Sequence, residues 1–214
     1  MPPRTPGETK HRLQEAAERE FARYGFAGGR VARIARAART NQRMVYHYFG
    51  GKQGLYDAVR YHVGDELADR LLRALAVRVE EDPVAAYADT LRAYFEAVSG
   101  HPTWARMVIH EVLEPSASPS SIARGPEQRF MAAFEPAIRR AQAEGRLRDD
   151  LTPMIGLSLA AIVSVMYPLM LREQWLRTAT LSDVGVDEPD SAFLDNLVSV
   201  ILDGVRRGEA SRPA

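Results

Sequence analysis

The 214-residue sequence contains no cysteine, which excludes disulfide bonds, thiolate-bound metals and cysteine nucleophiles. Its five histidines show no metal-ligand spacing of the HExxH kind. The GxGxxG pattern, the P-loop and the GxSxG nucleophile elbow are also absent. We therefore expect no metal, no cofactor, no catalytic residues and no enzymatic activity. A helical enzyme without a recognisable motif is the alternative.

The sequence also lacks any sustained alternation of apolar and polar β-branched residues, the pattern that predicts strands. Strong helix formers dominate instead, so we predict an all-α fold. The hydrophobic content of 46% with 26% charged residues is ordinary for a globular protein. The N-terminal segment MPPRTPGETK has no apolar signal-peptide core, which predicts a cytoplasmic location.

The formal net charge is zero, but the charge is unevenly distributed. Residues 1–60 contain 12 Lys and Arg against 5 Asp and Glu, a net charge of +7. Residues 61–214 hold the other 16 basic and 23 acidic residues, a net charge of −7. A basic segment joined to an acidic body is typical of a nucleic-acid-binding domain attached to a domain with another task.

The basic segment reads as three helices over residues 9–51, after a disordered tail over residues 1–8. Thr9 is a candidate N-cap of the first helix and Gly25 is its expected end. Asn41 is the candidate cap of the third helix, on which Val45 and Phe49 are expected to point inward. Two short helices joined by a tight turn form the helix-turn-helix pattern, whose second helix enters the major groove of DNA.

The run VARIARAARTNQRMVYHYFGGKQGLYDAV, residues 31–59, resembles the DNA-binding domain of the TetR family of transcriptional regulators. The matching features are an aliphatic-x-x-Ile-Ala start, an aliphatic-Tyr-x-Tyr-Phe end at Phe49, and the lysine three residues later. The close match covers roughly residues 9–60. The resemblance implies a three-helix DNA-binding domain followed by a larger helical effector-binding and dimerisation domain, here residues 52–214, whose long linking helix begins at Lys52.

The resemblance also implies which residues meet double-stranded DNA. Arg43 would pair with guanine, Gln42 with adenine or a phosphate, and Met44 with a thymine methyl. The remaining candidates would lie near phosphates. The full set is Arg30, Gln42, Arg43, Met44, Tyr46, His47, Tyr48 and Lys52.

Several residues of this segment keep an alternative. The rings of Tyr46 and Tyr48 pack the small core if they do not face DNA. Arg33, Arg36 and Arg39 are either solvated or attract phosphates. Arg39 stands where the family usually has a turn glycine, a position that can demand a positive φ.

The 21 residues from Leu151 to Leu171 carry no charge, a length that could span a bilayer. Polar and proline residues interrupt the run, and acidic rather than basic residues precede it. We expect no membrane insertion. The resemblance implies a homodimer through the last two helices, which we expect over about 153–177 and 190–207, with a kink at Pro168.

The resemblance further implies a pocket for a small-molecule effector among the remaining helices. Aromatic and methionine side chains suit an apolar, adaptable cavity, although each one singly is also an ordinary core residue. Glu111, near Arg106 and His110, is expected in an exposed ion pair. The candidate effector-binding residues are Tyr94, Trp104, Met107, Phe130, Phe134, Met166, Tyr167 and Met170.

The predicted function is a ligand-responsive regulator, a repressor by the family's commoner habit, that binds a palindromic operator as a dimer. A non-specific architectural DNA-binding protein and a helical interaction protein without DNA are the alternatives. The first would not distinguish palindromic from random DNA at one salt concentration.

Overall fold

A computed structural model describes residues 6–113, 127–149, 152, 154–181 and 189–205. These residues are almost entirely helical, which confirms the all-α prediction. The α-helices are α1 Pro6–Gly28, α2 Val31–Ala37, α3 Gln42–Phe49, α4 Lys52–Ala76, α5 Pro83–Ser99, α6 Pro102–Leu113, α7 Glu127–Ala143, α8 Met154–Met166, α9 Arg172–Leu181 and α10 Pro189–Val205. A short π-helix, Tyr167–Leu171, joins α8 to α9.

The chain divides into two compact units. The first is drawn from Met1–Glu66 and His101–Glu127, and the second from Leu67–Gly100 and Gln128–Ala214. The first unit therefore reaches beyond residue 51, where the sequence-based division ends the DNA-binding domain. It also includes α6, because α6 packs along α1.

The first unit is built on the apolar face of α1. Leu13, Ala17 and Phe21 recur every four residues and are fully buried. Ile34 of α2 and Val45 of α3 are also inaccessible to solvent and complete the small core. The two short helices thus gain their stability from tertiary packing, since helices of their length are marginal in isolation.

The predicted start of the first helix is wrong, whereas its predicted end at Gly25 is confirmed by the non-helical backbone of that residue. Helix α1 begins at Pro6, three residues before Thr9, so residues 6–8 of the predicted tail are helical. Proline is favoured at a first helical position because its missing N–H would lack an intrahelical partner there. Gly25 interrupts α1 with φ 65° and ψ 179°, and a short helical stretch to Gly28 follows this kink. Residues 1–5 lie outside the described part.

In the second unit, α5 packs against α8 and α10. Tyr87 of α5 is fully buried, and its hydroxyl accepts a hydrogen bond from the backbone N–H of Leu157 in α8. Burial raises the pKa of Tyr87, so the hydroxyl stays protonated. The neighbouring Gly156 lets α8 approach this hydroxyl. A Cβ at residue 156 would lie 2.1 Å from the Tyr87 Oη and 2.8 Å from the Ile201 Cγ2.

Replacing Gly156 with alanine is therefore expected to destabilise the protein by about 1–3 kcal/mol, because an extra methyl group in a packed contact forces its neighbours to move. The free energy of unfolding in urea would measure the loss. Gly7→Ala is the matched control, since a Cβ there meets nothing within 4 Å. Equal stability of Gly156→Ala and the wild type would contradict the close α5–α8 packing.

The expected kink at Pro168 takes the form of the π-helix. Proline has no N–H to continue the α-helical ladder, and a π-turn accommodates the break without ending the helical path. The single helix expected over 153–177 is therefore three consecutive segments that extend to Leu181. Leu151 and Pro153 lie outside the described residues.

Within the described residues, the segment Ile155–Arg177 is long and apolar enough to cross a membrane, with a mean hydropathy of 1.7 over its best window. Length and composition alone are weak evidence, because a core helix of a soluble protein meets the same criterion. The segment is partly buried, and Ile155, Leu159 and Ile162 lie on its solvent-facing side.

Candidate nucleic-acid interface

Helix α3 is fixed at both ends by its local sequence. Asn41 precedes it with extended backbone angles, φ −106° and ψ 162°, as an N-cap requires. Gly50 follows in the left-handed region with φ 72°, and its N–H donates to the carbonyl oxygen of Tyr46 at 3.0 Å. The predicted third helix and its end at Gly50 are confirmed, whereas Asn41 stands at the N-cap position without a side-chain capping hydrogen bond.

The buried face of α3 is small. Val45 is inaccessible to solvent, and Phe49 is half-buried with the ammonium of Lys10 at 5.9 Å from its ring centre. The opposite face carries Arg43 and His47, and Gln42 stands at the first position of the helix; all three are exposed. One fully buried residue therefore anchors a helix that leaves several polar side chains exposed for a partner, as a recognition helix requires.

The aromatic residues of α3 differ in exposure. Tyr46 is 61% exposed, which disfavours its alternative as a core residue. Tyr48 is half-buried and packs edge-on against the exposed ring of His47, with centres 4.9 Å apart. Met44 is also half-buried. The structure thus brings the predicted residues of α3 onto one short helix, while their contacts with DNA stay predictions.

Lys52 and Arg30 are the two candidate DNA-binding residues that lie outside α3. The Lys52 Nζ donates to the carbonyl oxygen of Ala27 at 3.2 Å and lies 4.6 Å from the ring centre of Phe26. Partial burial and the charge of Arg30 lower the pKa of Lys52. Lys52 thus joins the start of α4 to the α1–α2 turn, in addition to its predicted place near phosphates. Arg30 is exposed at the N-cap of α2.

Glu20 is a positioning residue that the sequence reasoning missed. It is only 9% exposed, and one carboxylate oxygen accepts the Arg30 backbone N–H at 2.9 Å and the Arg33 Nε–H at 2.6 Å. Arg33 also donates to the carbonyl oxygen of Gly28 at 2.9 Å and lies over the ring of Tyr24. The hydrogen bond with Glu20 raises the pKa of Arg33.

This cluster corrects the expectation for Arg33, which is an internal tether of α2 rather than a solvated side chain. The signal was an acid at helical spacing from the buried Ala16 and Ala17, but its partners are 10 and 13 residues away and no helical spacing indicates them.

Removing the carboxylate with Glu20→Ala is expected to lower the melting temperature by roughly 2–8 °C, since a buried charge-assisted cluster loses its acceptor. Circular dichroism would follow the transition. Glu15→Ala is the control, because Glu15 pairs with His11 at the surface, where ion pairs contribute little. Equal melting temperatures for both variants would show that Glu20 does not hold α2.

The turn between α2 and α3 confirms the expected positive φ at residue 39. Arg39 has φ 52°, the only non-glycine positive φ among the described residues. Its N–H donates to the carbonyl oxygen of Arg36 at 3.0 Å, and the Thr40 N–H to that of Ala35 at 2.9 Å. These two bonds form the Schellman motif that closes many helices, with Arg39 at the left-handed position glycine prefers.

The expectation of an exposed ion pair around Glu111 is wrong. Glu111 of α6 accepts hydrogen bonds from the Tyr56 hydroxyl and the Arg60 Nε–H, both at 2.7 Å. The Arg60 and Glu111 side chains are largely buried. Burial of the Tyr56 hydroxyl and its hydrogen bond to Glu111 raise the pKa of Tyr56. Arg106 points to solvent. The partners come from α4, which a local reading of α6 does not reveal.

The candidate effector-binding residues fall into separate groups. Trp104 and Met107 are buried on α6 in the first unit. In the second unit, Phe130 packs on Phe134 at 5.1 Å between ring centres. Tyr167 of the π-helix stacks on Phe193 at 4.3 Å.

The other three candidates are less enclosed. Tyr94 and Met166 are half-buried, and Met170 is 60% exposed. The role of these residues in effector binding stays a prediction.

Comparisons with known proteins agree with this geometry. The sequence profile described as "Bacterial regulatory proteins, tetR family" matches residues 13–59. The transcriptional repressor SCO4008 of Streptomyces coelicolor is 34% identical over 178 residues, covering 80% of this chain and 86% of that protein. The repressor NicS of Pseudomonas putida is 26% identical over 204 residues, covering 93% of each.

Solved structures share the fold. A TetR family regulator from Marinobacter aquaeolei superposes with a TM-score of 0.71 at 20% identity, over 94% of this chain and 97% of that one. The transcriptional regulator SCO4942 of Streptomyces coelicolor has a TM-score of 0.64 at 28% identity, over 94% and 99%. The profile match covers the helices that build the interface, and the relatives extend over most of the chain. The protein therefore belongs to the TetR family of helix-turn-helix transcriptional regulators.

Proposed function

We propose that the protein is a repressor that binds a palindromic operator as a homodimer and is released by a small, largely apolar effector. The observation that carries the DNA-binding part is α3, a short helix that ends at Gly50, with a single fully buried residue and exposed polar and aromatic side chains. The names of the relatives SCO4008 and NicS support the repressor role.

In this proposal the exposed face of α3 lies in the major groove. Arg43 reads guanine through a bidentate hydrogen bond, and Gln42 meets adenine or a phosphate. Met44 contacts a thymine methyl group. The hydroxyls of Tyr46 and Tyr48 donate to phosphates, which fixes the position of the helix on the duplex.

The basic groups around α3 strengthen this contact. His47 lies beside Tyr48, while Arg30 and Lys52 add positive charge near the DNA backbone. Counterion release by such charges provides much of the affinity of DNA-binding proteins and makes it depend on salt concentration.

The dimer is proposed to form through α8 and α10. Ile155, Leu159 and Ile162 of α8 recur at steps of four and three residues and are about half exposed or more. Val200 of α10 is 72% exposed. A stripe of apolar side chains on an uncharged helix is a typical subunit interface. Burial in a subunit interface accounts for the apolar character of this segment without membrane insertion. A cytoplasmic location is proposed because the protein must reach its operator.

The effector is proposed to bind among the aromatic and methionine side chains of the second unit. Phe130, Phe134 and Tyr167 are buried in aromatic clusters, and the softer Met166 and Met170 lie along the helical path from α8 to α9. Trp104 and Met107 of the first unit remain candidates. Helix α4 contributes residues to both units and is the proposed coupling element. Allosteric coupling is typically about 1–3 kcal/mol.

Selection of bound duplexes from random DNA tests this function. The proposal expects an enriched palindrome, whose two half-sites are centred about one helical turn or a multiple of it apart. Enrichment of an asymmetric sequence or of no sequence at all would contradict a dimeric sequence-specific regulator. Equal affinity for the enriched and shuffled duplexes at one salt concentration would favour the architectural alternative.

A further inference from the structure

The turn between α2 and α3 borders a groove, and of its lining residues only Gln42 is among the DNA contacts proposed above. It has a volume of about 610 Å³ and is open to solvent. The lining residues are Ala32, Ala35, Arg36, Arg39, Thr40, Asn41 and Gln42. Apart from the two alanines, every lining residue carries a hydrogen-bonding side chain. Neither carboxylate nor large apolar side chains line it, which points to an anionic ligand.

The charge of the groove comes from two arginines of one helix end. Arg36 and Arg39 are both exposed and three residues apart, at the C-terminal end of α2. A guanidinium presents several N–H donors in a fork that matches phosphate oxygens. Thr40 adds a hydroxyl and Asn41 an amide that makes no side-chain hydrogen bond to the backbone of α3.

Arg39 has an unfavourable backbone conformation for a residue with a side chain. Its left-handed conformation, φ 52°, is one that glycine adopts freely and other residues only with strain. The Schellman hydrogen bonds would form equally well with glycine at this position. A backbone outlier of this kind supports the hypothesis that the side chain has a functional role.

The position of the groove identifies the source of the anion. Gln42 lines the groove and is also the first residue of α3, the helix proposed to enter the major groove. A phosphate held here would therefore belong to the strand that flanks the bases read by α3. Phosphate contacts of this kind fix the register of a recognition helix.

We propose that Arg39, together with Arg36, binds a backbone phosphate of the operator in this groove. The inference rests on the proposed DNA-binding function. The family usually has glycine at this position, and the inference gives the Arg39 side chain a role in DNA affinity.

Three substitutions of Arg39 in the full-length protein separate charge from backbone strain. Arg39→Gln keeps the strained backbone and removes the charge. Arg39→Lys keeps both, and Arg39→Gly removes both. Arg73→Gln is the matched control, because Arg73 is an exposed arginine of α4 that lies 21 residues after Lys52, about 30 Å along the helix.

Affinity for the selected operator is measured between about 0.05 and about 0.3 M salt, roughly a sixfold range around physiological strength. For Arg39→Gln we expect the slope of log K against log salt to fall by about 0.9 per half-site, and the affinity at about 0.1 M salt to fall roughly five- to tenfold per half-site. Arg39→Lys should keep the wild-type slope. Arg39→Gly should match Arg39→Gln without a lower melting temperature, which excludes misfolding as the cause.

An unchanged slope in Arg39→Gln, with wild-type operator binding intact, overturns the phosphate contact and leaves the proposed function standing. Failure of the wild type to prefer any duplex overturns both. Titration with inorganic phosphate alone at constant ionic strength separates the two sources of anion. We expect no saturable binding, whereas saturable binding lost in Arg39→Gln would assign the groove to a free anion and overturn the DNA contact.

Discussion

Arg43→Ala is expected to weaken binding of the selected operator by about 30-fold or more, the largest effect of any single side chain on α3. A bidentate arginine–guanine contact contributes about 1–3 kcal/mol of discrimination, and a palindrome loses two of them. The side chain is exposed on the face of α3 opposite the buried Val45, so its removal leaves the core unchanged.

The measurement is a binding isotherm for the operator and for a shuffled duplex at one salt concentration. The operator affinity should fall far more than the shuffled affinity, because the lost contact reads a base rather than a phosphate. Arg73→Ala, which also removes one positive charge, should leave both nearly unchanged. Parallel losses on both duplexes would show that Arg43 contacts the backbone and that another residue supplies the base reading.

Ile162→Glu is expected to convert the homodimer to a monomer and to lower operator affinity by more than about 100-fold. Ile162 is 60% exposed on α8, so the substitution leaves the fold of one protomer intact. In a dimer through α8 and α10 the same residue would be buried, where an unpaired carboxylate is strongly unfavourable. A monomer presents one recognition helix and so loses half of the contacts with a palindrome.

Sedimentation equilibrium of the variant gives its mass directly, and circular dichroism shows whether the helices remain. Val77→Glu is the control, because it places the same charge at an apolar residue that is 72% exposed outside α8 and α10. We expect this control to remain a dimer. A dimeric Ile162→Glu protein would mean that another surface joins the subunits.

Local patterns in the sequence predicted most of the DNA-binding segment. Asn41 and Gly50 are strong boundary signals, and Val45 lies on the only apolar face that α3 offers. Arg39 stands where the family usually has glycine, which marked the position as one that can demand a positive φ, and the structure has φ 52° there. Such features depend on neighbouring residues, so a short window of sequence contains the information.

Contacts between distant residues were not predictable in the same way. Glu111 pairs with Tyr56 and Arg60 across more than 50 residues, and Glu20 with Arg33 across 13. Charged residues usually lie at the surface, so from the sequence alone we expect them to be solvated. Only the fold shows which opposite charges come together. The π-helix after α8 is similar, since Pro168 predicts a break but tertiary packing determines its form.

The buried Arg60–Glu111 pair also bears on the proposed allostery. It connects α4 to α6 within the first unit, and breaking one partner of a buried pair is costly. The pair therefore restrains the N-terminal half of α4, the helix proposed to couple effector binding to DNA release.

Aromatic candidates such as Phe130 and Phe134 form well-packed clusters, so composition alone did not distinguish core from pocket.

The most direct test of the central claim is the mass of the complex between the wild-type protein and its selected palindromic duplex. Analytical ultracentrifugation at one salt concentration should show two protomers per palindrome, and a duplex with a single half-site should bind at least about 100-fold more weakly. One protomer per duplex, or equal affinity for the full and half sites, would contradict a symmetric dimer that reads DNA through two copies of α3.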